Sequence, residues 1–196
     1  MIDRDRAIEF FQDVCEVYDD PDSSNPKAVI AGGYVRDFVY NFAPRDVDVY
    51  VQHDINKPER NLKEIAKKWG LTECKTSAYS KINGILDLYE NQEKDIQVIV
   101  TTRNPLIFIK NTFDYAVCQA ALDSQCNLYT SQYFENDLYK SDLTLLLQEH
   151  FPNWQIGKCL TTRRKKMESK FNRKTNILFP EEILQPLLEL KLRRTL

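Results

Sequence analysis

An apolar run, a helical repeat and a strict alternation follow one another between residues 28 and 51. Residues 28–31 are uniformly apolar and predict a short buried strand. Apolar residues then recur at helical spacing until Pro44 ends the predicted helix. This helical set is Val35, Phe38, Val39 and Phe42. Residues 46–51 alternate and predict a second strand, with its valines in the core and Asp46 and Asp48 together on the other face.

The rest of the chain continues this mixture of helical and alternating patterns. Residues 4–18 and 59–69 carry apolar positions at helical spacing, and Asn104 is placed to cap a further helix that opens at Pro105. Residues 85–89 and 95–100 have strand-like alternation. A leucine-rich helical pattern occupies residues 181–192. The patterns therefore predict a chain that combines helices with strands.

Composition and charge place the chain among soluble globular proteins. Its 196 residues suffice for one domain with a core, or for a domain with a helical extension, and 42% hydrophobic and 29% charged residues are ordinary values. No apolar run approaches the roughly 18 residues of a membrane span, and the charged N-terminus lacks the core of a signal peptide. Five scattered cysteines without a C-x-x-C pair favour neither a zinc site nor a disulfide framework. We therefore expect a cytoplasmic protein that does not enter a membrane.

Candidate chemistry is concentrated in the segment between the first two strands. Gly32 and Gly33 allow a sharp turn and let a ligand approach the backbone N–H groups, where a helix N-terminus attracts phosphate. Asp46 and Asp48 would repel each other on one strand face unless a cation lies between them. Oxygen ligands of this kind suit Mg²⁺. The segment therefore predicts a phosphate site beside a metal site. Arg36 in the first helical turn is a candidate phosphate contact, or it forms a local ion pair with Asp37 that fixes the helix.

A basic segment lies towards the C-terminus. Residues 158–174 carry eight lysines and arginines against one glutamate, although the net charge of the whole chain is −2. The candidate RNA-binding residues are Arg163, Arg164, Lys165 and Lys166. The segment could follow a nucleic-acid backbone, or it could simply be a solvated helix face.

The order Gly32-Gly33, Val35-Arg36-Asp37 and Asp46-x-Asp48 resembles a known signature. It is similar to the head domain of the tRNA CCA-adding enzyme and bacterial poly(A) polymerase family, within the DNA polymerase β-like nucleotidyltransferases. The resemblance implies an α+β nucleotidyltransferase head fold in residues 1–150, with a mixed sheet of about five strands flanked by helices. A short basic helical extension is expected in residues 151–196. It also implies two catalytic Mg²⁺ ions, with Mn²⁺ as a substitute.

The resemblance implies further site residues. A third carboxylate is expected on the strand beside Asp46 and Asp48, with Asp95 as the candidate and Asp87 as its competitor. Residues 113–122 resemble a family segment that shapes the nucleotide pocket, and Asp114 is the candidate nucleotide contact there. Two arginines of the family segment are missing and Cys118 replaces an asparagine, so base selection cannot be carried over.

The predicted function is transfer of a nucleoside monophosphate from an NTP, ATP or CTP first among them, to the 3′ end of tRNA or a tRNA-like RNA, with release of pyrophosphate. A protein or small-molecule acceptor is the second reading. An inactive head domain that binds a nucleotide or a partner is the third. Compact stand-alone members of this superfamily occur in viral genomes and in toxin–antitoxin pairs. The sequence leaves the NTP, the acceptor and the oligomeric state open.

Overall fold

The computed structural model describes residues 3–19, 25–53, 60–74, 84–148 and 151–178. The helices are α1 Arg4–Tyr18, α2 Gly33–Val39, α3 Arg60–Trp69, α4 Pro105–Thr112, α5 Gln132–Tyr139, α6 Asn153–Lys158 and α7 Arg164–Phe171. The strands are β1 Ala28–Ala31, β2 Val47–Gln52, β3 Thr72–Glu73, β4 Ile85–Asn91, β5 Ile96–Thr101, β6 Ala120–Leu122, β7 Leu128–Thr130, β8 Leu143–Leu146 and β9 Thr175–Leu178.

The chain divides into two compact units. One comprises Met1–Lys110 and Ala120–Thr130, and the other comprises Asn111–Gln119 and Ser131–Leu196. The predicted boundary after residue 150 differs from this division. That residues 1–150 and 151–196 are separate domains stays a prediction.

The first unit is built on a seven-stranded mixed sheet with the order β3-β4-β5-β2-β1-β6-β7. β1 and β2 pair antiparallel, and Ala31 lies opposite Asp48. β2 and β5 pair parallel, with Asp48 beside Gln97. β4 runs antiparallel to β5 and places Glu90 beside Gln97. The strand with the aspartates is therefore central in the sheet.

The two faces of the sheet differ in character near Asp48. The valines of β2 point to one face and are fully buried. Tyr18 of α1 lies near Asp87 and Tyr89 of β4 on that same face. On the other face, Phe108 of α4 packs on Tyr50 with ring centroids 5.8 Å apart. α1 thus packs on the face of the valines and α4 packs on part of the other face, where Asp48 is only partly buried.

The second unit contains a separate two-stranded sheet in which β8 and β9 pair in parallel. Asp137 of α5 accepts hydrogen bonds from the Thr144 backbone N–H (2.8 Å) and hydroxyl (2.6 Å) and so ties α5 to β8. A continuous helical run from α6 to α7 includes one π-helical segment, Cys159–Arg163. Asn172 ends this run in the left-handed conformation with φ 51°.

The predicted α+β fold is confirmed. The helices predicted at residues 4–18 and 59–69 are α1 and α3, and the Asn104 side chain accepts the Leu106 N–H at 2.9 Å as the predicted cap of α4. The sheet is larger than the five strands expected, because β3, β6 and β7 have only two or three residues each, too few to show a period. The C-terminal extension adds strand β9 to its helices. The leucine-rich pattern at residues 181–192 lies outside the described residues.

No helix among the described residues is both long and apolar enough to cross a membrane. The five cysteines are all free thiols.

Candidate active site

The turn between β1 and α2 has a conformation that requires glycine. Gly32 has φ 74° and ψ −126°, a region open to glycine and closed to residues with a Cβ. Gly33 follows, and a Cβ added to it would lie 3.3 Å from Asp46 Oδ1 and 3.6 Å from Arg36 Nη2. The bare backbone of Gly33 therefore lies between a carboxylate and a guanidinium group.

Arg36 is held in place by its neighbour Asp37. Its Nε donates to Asp37 Oδ1 at 2.6 Å, and the side chains of Arg36 and Asp37 are 12% and 2% exposed. The pair is the local ion pair that the sequence left open as an alternative to phosphate binding. Nε makes this ion pair, whereas Nη2 lies 3.6 Å from the position of a Gly33 Cβ, so the ion pair orients the guanidinium towards the glycine turn. One arrangement therefore accommodates both interpretations.

Asp46 and Asp48 stand at the start of β2. Asp46 is exposed, and Asp48 is partly buried opposite Ala31, which directly precedes the glycine turn. Burial, and then repulsion by Asp46, raise the pKa of Asp48 to about 7, although the Arg36 charge opposes the shift. A carboxyl group in such surroundings favours a nearby cation.

The candidates for the third carboxylate lie in different places. Asp95 precedes β5 with φ 54°, so the strand alternation begins only after it, and its carbonyl oxygen accepts the Val47 N–H at 2.8 Å. Asp87 pairs with Val100, which lies beside Val51. Since Val51 and Asp48 point to opposite faces of β2, Asp87 lies on the face away from Asp48. The role of Asp95 as a metal ligand stays a prediction.

A hard divalent cation fits the residues around Gly33. Asp46 and Asp48 offer only oxygen donors, which Mg²⁺ prefers, and the missing Cβ of Gly33 leaves room beside Asp46 Oδ1 for a ligand's oxygens. Within the described part of the chain, no three His, Cys, Asp or Glu side chains gather closely enough to hold a metal ion. Water and substrate would supply further contacts of a cation held by Asp46 and Asp48.

Asp114, the predicted nucleotide contact, lies in the second unit and is 6% exposed. Its carboxylate accepts the Tyr115 N–H at 2.9 Å and the Cys159 thiol at 3.3 Å, and it forms an ion pair with Arg163. Burial, and then Asp114, raise the pKa of Cys159 to about 12, so this thiol donates in its neutral form. The carboxylate is thus already well supplied with donors from its own unit, and its contact with a nucleotide stays a prediction.

The four basic residues proposed for RNA binding divide into two pairs. Arg163 is turned towards Asp114 and Cys118, and Arg164 forms an ion pair with Glu168 at 2.9 Å. Lys165 and Lys166 are exposed. The lysines are therefore the members of this group that face solvent, because both arginines have carboxylate partners.

Sequence reasoning missed Gln97 and Glu90. The register places Gln97 between Asp48 on β2 and Glu90 on β4, so the three residues form a row on one face of the sheet. Their alternation along residues 85–91 and 96–101 was visible in the sequence. The pairing of the strands was not, because β2 and β5 are distant in the chain.

Comparison with known proteins gives a family and a set of fold neighbours. Residues 5–140 match the sequence model described as "Gad2: Gabija anti-defense 2 family protein". The chain belongs to the Gabija anti-defense 2 family. No curated protein sequence matches it.

Solved structures resemble this Gabija anti-defense 2 family protein in fold. The Thermotoga maritima CCA-adding enzyme complexed with tRNA has a TM-score of 0.57 and 16% identity over 93% of this chain and 42% of its own. The Bacillus stearothermophilus CCA-adding enzyme in complex with CTP has a TM-score of 0.56 and 15% identity over 88% of this chain and 40% of its own. A tRNA nucleotidyltransferase complexed with a primer tRNA and an ATP analogue has a TM-score of 0.52 and 18% identity over 84% of this chain and 47% of its own.

These comparisons confirm the nucleotidyltransferase head fold that the Gly32–Asp48 segment indicated. At 15–18% identity they extend to the fold alone. This Gabija anti-defense 2 family member spans less than half the length of those three enzymes.

Proposed function

We propose that the protein is a metal-dependent nucleotidyltransferase that transfers a nucleoside monophosphate from an NTP and releases pyrophosphate. The observation that carries this proposal is the meeting of three groups at Gly33. Asp46 Oδ1 and Arg36 Nη2 both lie within 3.6 Å of the position of a Gly33 Cβ, and Asp48 of β2 lies close enough to Asp46 for their charges to interact. A triphosphate with its metal needs negative ligands for the cation and positive donors for the phosphates, side by side.

Each group has a distinct role in this proposal. Asp46 and Asp48 would hold Mg²⁺, whose charge, when it is bound, stabilises the transferring phosphoryl group and the leaving pyrophosphate. Arg36, oriented by Asp37, would bind a phosphate oxygen through its guanidinium group. The turn at Gly32 and Gly33 would let phosphate oxygens approach the backbone, and the absence of a side chain keeps this space open. α2 has only seven residues, so we assign the phosphate contact to Arg36 and the backbone rather than to the helix dipole.

Two acceptors have support. The 3′ end of an RNA is supported by the exposed Lys165 and Lys166 and by fold neighbours whose complexes contain tRNA and nucleotides. A component of the Gabija defence system is supported by the family, whose name describes an activity against that system. The two acceptors share the chemistry at Gly33 and differ in what supplies the attacking hydroxyl group.

The test is a labelling assay with α-³²P-labelled NTPs supplied one at a time, Mg²⁺, and either total RNA or purified Gabija proteins. The control pair is Asp46→Ala/Asp48→Ala, which removes the carboxylates, and Asp87→Ala, which removes an exposed aspartate from the opposite face. We expect label to enter one acceptor with the native protein and with Asp87→Ala, and to be lost with the double variant.

The acceptor follows from where the label appears. Label in RNA establishes the first acceptor, and label in a Gabija protein establishes the second. Absence of label from both acceptors, with every NTP, would overturn the proposal of nucleotidyl transfer to either one.

A further inference from the structure

Gln97 occupies the position beside Asp48 on the neighbouring strand. β2 and β5 pair in parallel with Asp48 next to Gln97, so both side chains leave the same face at adjacent strands, about 4.8 Å apart. Asp95 lies before β5 and has φ 54°, so it does not share this regular position. The residue closest in register to Asp48 on β5 is therefore an amide and not a carboxylate.

The amide of Gln97 has a defined orientation. Its Nε2 donates to Glu90 Oε2 at 3.2 Å, and Glu90 Oε1 accepts from Gln92 Nε2 at 2.8 Å. An ionised carboxylate accepts hydrogen bonds and cannot donate them, so the opposite orientation of the amide would place two acceptors against each other. Because the amide nitrogen of Gln97 donates to Glu90, the amide oxygen is the atom that remains for the side of Asp48.

That oxygen has no hydrogen-bond partner in the described part of the chain. Gln97 Oε1 is buried there and accepts no hydrogen bond from any described residue. A buried carbonyl oxygen in this state is unfavourable. Amide oxygens are also established ligands of hard divalent cations. A cation held by Asp46 and Asp48 would satisfy this oxygen.

We propose that Gln97, oriented by Glu90, provides the third protein contact of the metal site at Asp46 and Asp48. This inference rests on the proposed function, since it assumes a metal at that site. The third protein ligand of the metal is then a neutral amide oxygen. The site then holds a divalent cation with less negative charge than three carboxylates would provide.

The test measures binding of Mn²⁺ alone, by electron paramagnetic resonance, to the full chain without nucleotide. Gln97→Glu supplies a charged oxygen at the same position, and Gln97→Leu removes the oxygen at similar volume. Asp87→Asn, at the exposed aspartate of the opposite face, is the matched control, and Asp95→Asn tests the competing ligand. We expect affinity for Mn²⁺ to rise about five- to tenfold in Gln97→Glu, to fall by a similar factor in Gln97→Leu and to stay unchanged in Asp87→Asn. Thermal unfolding of each variant identifies any that fail to fold.

Two failures are distinguishable. Binding that is lost in Asp46→Ala/Asp48→Ala but unchanged by both Gln97 variants would overturn this inference and leave the metal site intact. Loss of binding in Asp95→Asn would assign the third contact to Asp95. Absence of any Mn²⁺ binding that depends on Asp46 and Asp48 would overturn the metal site itself, and this inference with it.

A positioning role for Glu90 gives a separate readout. Glu90→Ala releases the Gln97 amide, so we expect weaker Mn²⁺ binding than in the native protein. The same change made in Gln97→Leu should have little further effect on Mn²⁺ affinity, because no amide remains to be oriented. If Glu90→Ala lowers Mn²⁺ affinity equally in the native protein and in Gln97→Leu, Glu90 does not act through Gln97.

Discussion

At the scale of single residues, Asp48 combines burial, a neighbouring negative charge and a nearby arginine. The first two raise its pKa to about 7, whereas an aspartate in an unfolded chain has a value near 3.8. Because the folded value is the higher one, the folded state binds the proton more tightly. The contribution of Asp48 to stability is therefore most favourable at acidic pH and is lost as the pH rises from about 4 to about 7.

Asp48→Asn should consequently stabilise the metal-free protein at alkaline pH. Removal of the ionisable group eliminates the cost of the buried charge, which we expect to be about 1–3 kcal/mol at pH 8 and smaller at pH 5. Urea unfolding of the native protein and of Asp48→Asn in EDTA at these two pH values measures the difference in the free energy of unfolding. The contributions of titratable groups that both proteins share cancel in this difference. Equal stabilities at pH 8 would show that Asp48 ionises there without cost.

The two glycines of the turn should respond differently to alanine. Gly32 has a conformation in which alanine is strained, so Gly32→Ala should lower the free energy of unfolding by about 1–3 kcal/mol. Gly33 has no such strain. Its added Cβ would lie 3.3 Å from Asp46 Oδ1, so Gly33→Ala should mainly weaken binding of Mg²⁺ and NTP. Urea unfolding and nucleotide titration separate the two effects, and identical behaviour of the two variants would contradict the geometry.

At the scale of elements, the helical run from α6 to α7 uses its basic residues for two purposes. Arg163 pairs with Asp114 and lies with its guanidinium carbon 5.9 Å from the centre of the Tyr115 ring. Lys165 and Lys166 are exposed on the following turn. A basic run in the sequence therefore contains a packing residue and two candidate nucleic-acid contacts.

These purposes can be separated by mutation. Arg163→Ala leaves Asp114 without its cation and should reduce stability by about 1–3 kcal/mol. This is less than for a fully buried pair, because Arg163 is about a third exposed. Lys165→Glu/Lys166→Glu should leave stability nearly unchanged and weaken RNA binding. It should also reduce the slope of log K against log salt by about 1–2.

The control for charge is Lys63→Glu/Lys67→Glu on α3, which makes the same change in net charge in the other unit. Urea unfolding and RNA titration at several salt concentrations measure both properties. RNA binding that falls equally in the two double variants would indicate a response to net charge and not to α7.

At the scale of the whole molecule, ligand binding should raise the thermal stability of the protein. A ligand at 100 times its dissociation constant stabilises the folded state by about 2.7 kcal/mol. For a chain of this length, each kcal/mol shifts Tm by about 2–4 °C. Mg²⁺ with ATP or CTP should therefore raise Tm by roughly 5–10 °C in the native protein. The shift should be much smaller in EDTA and in Asp46→Ala/Asp48→Ala. A full shift in the double variant would place the nucleotide elsewhere.

The sequence alone determined the parts of this protein that depend on neighbouring residues. The strand, glycine turn, helix and second strand of residues 28–51 were predictable because their periods and their turn residues are local. The shared face of Asp46 and Asp48 follows from the two-residue period of a strand. These same residues carried the resemblance from which the nucleotidyltransferase head fold was expected, and the comparison with solved structures confirmed that fold.

The tertiary structure decided what lies beside those residues. Gln97 became the neighbour of Asp48 because β2 and β5 pair in parallel across a long connection, and a strand's sequence does not state its register with a distant partner. Asp87 was assigned to the opposite face by the same pairing. Arg163, which belongs to the basic segment of residues 158–174, forms an ion pair with Asp114, a residue far away in the chain. Local periodicity specifies which face a side chain occupies, whereas only long-range pairing specifies what it meets there.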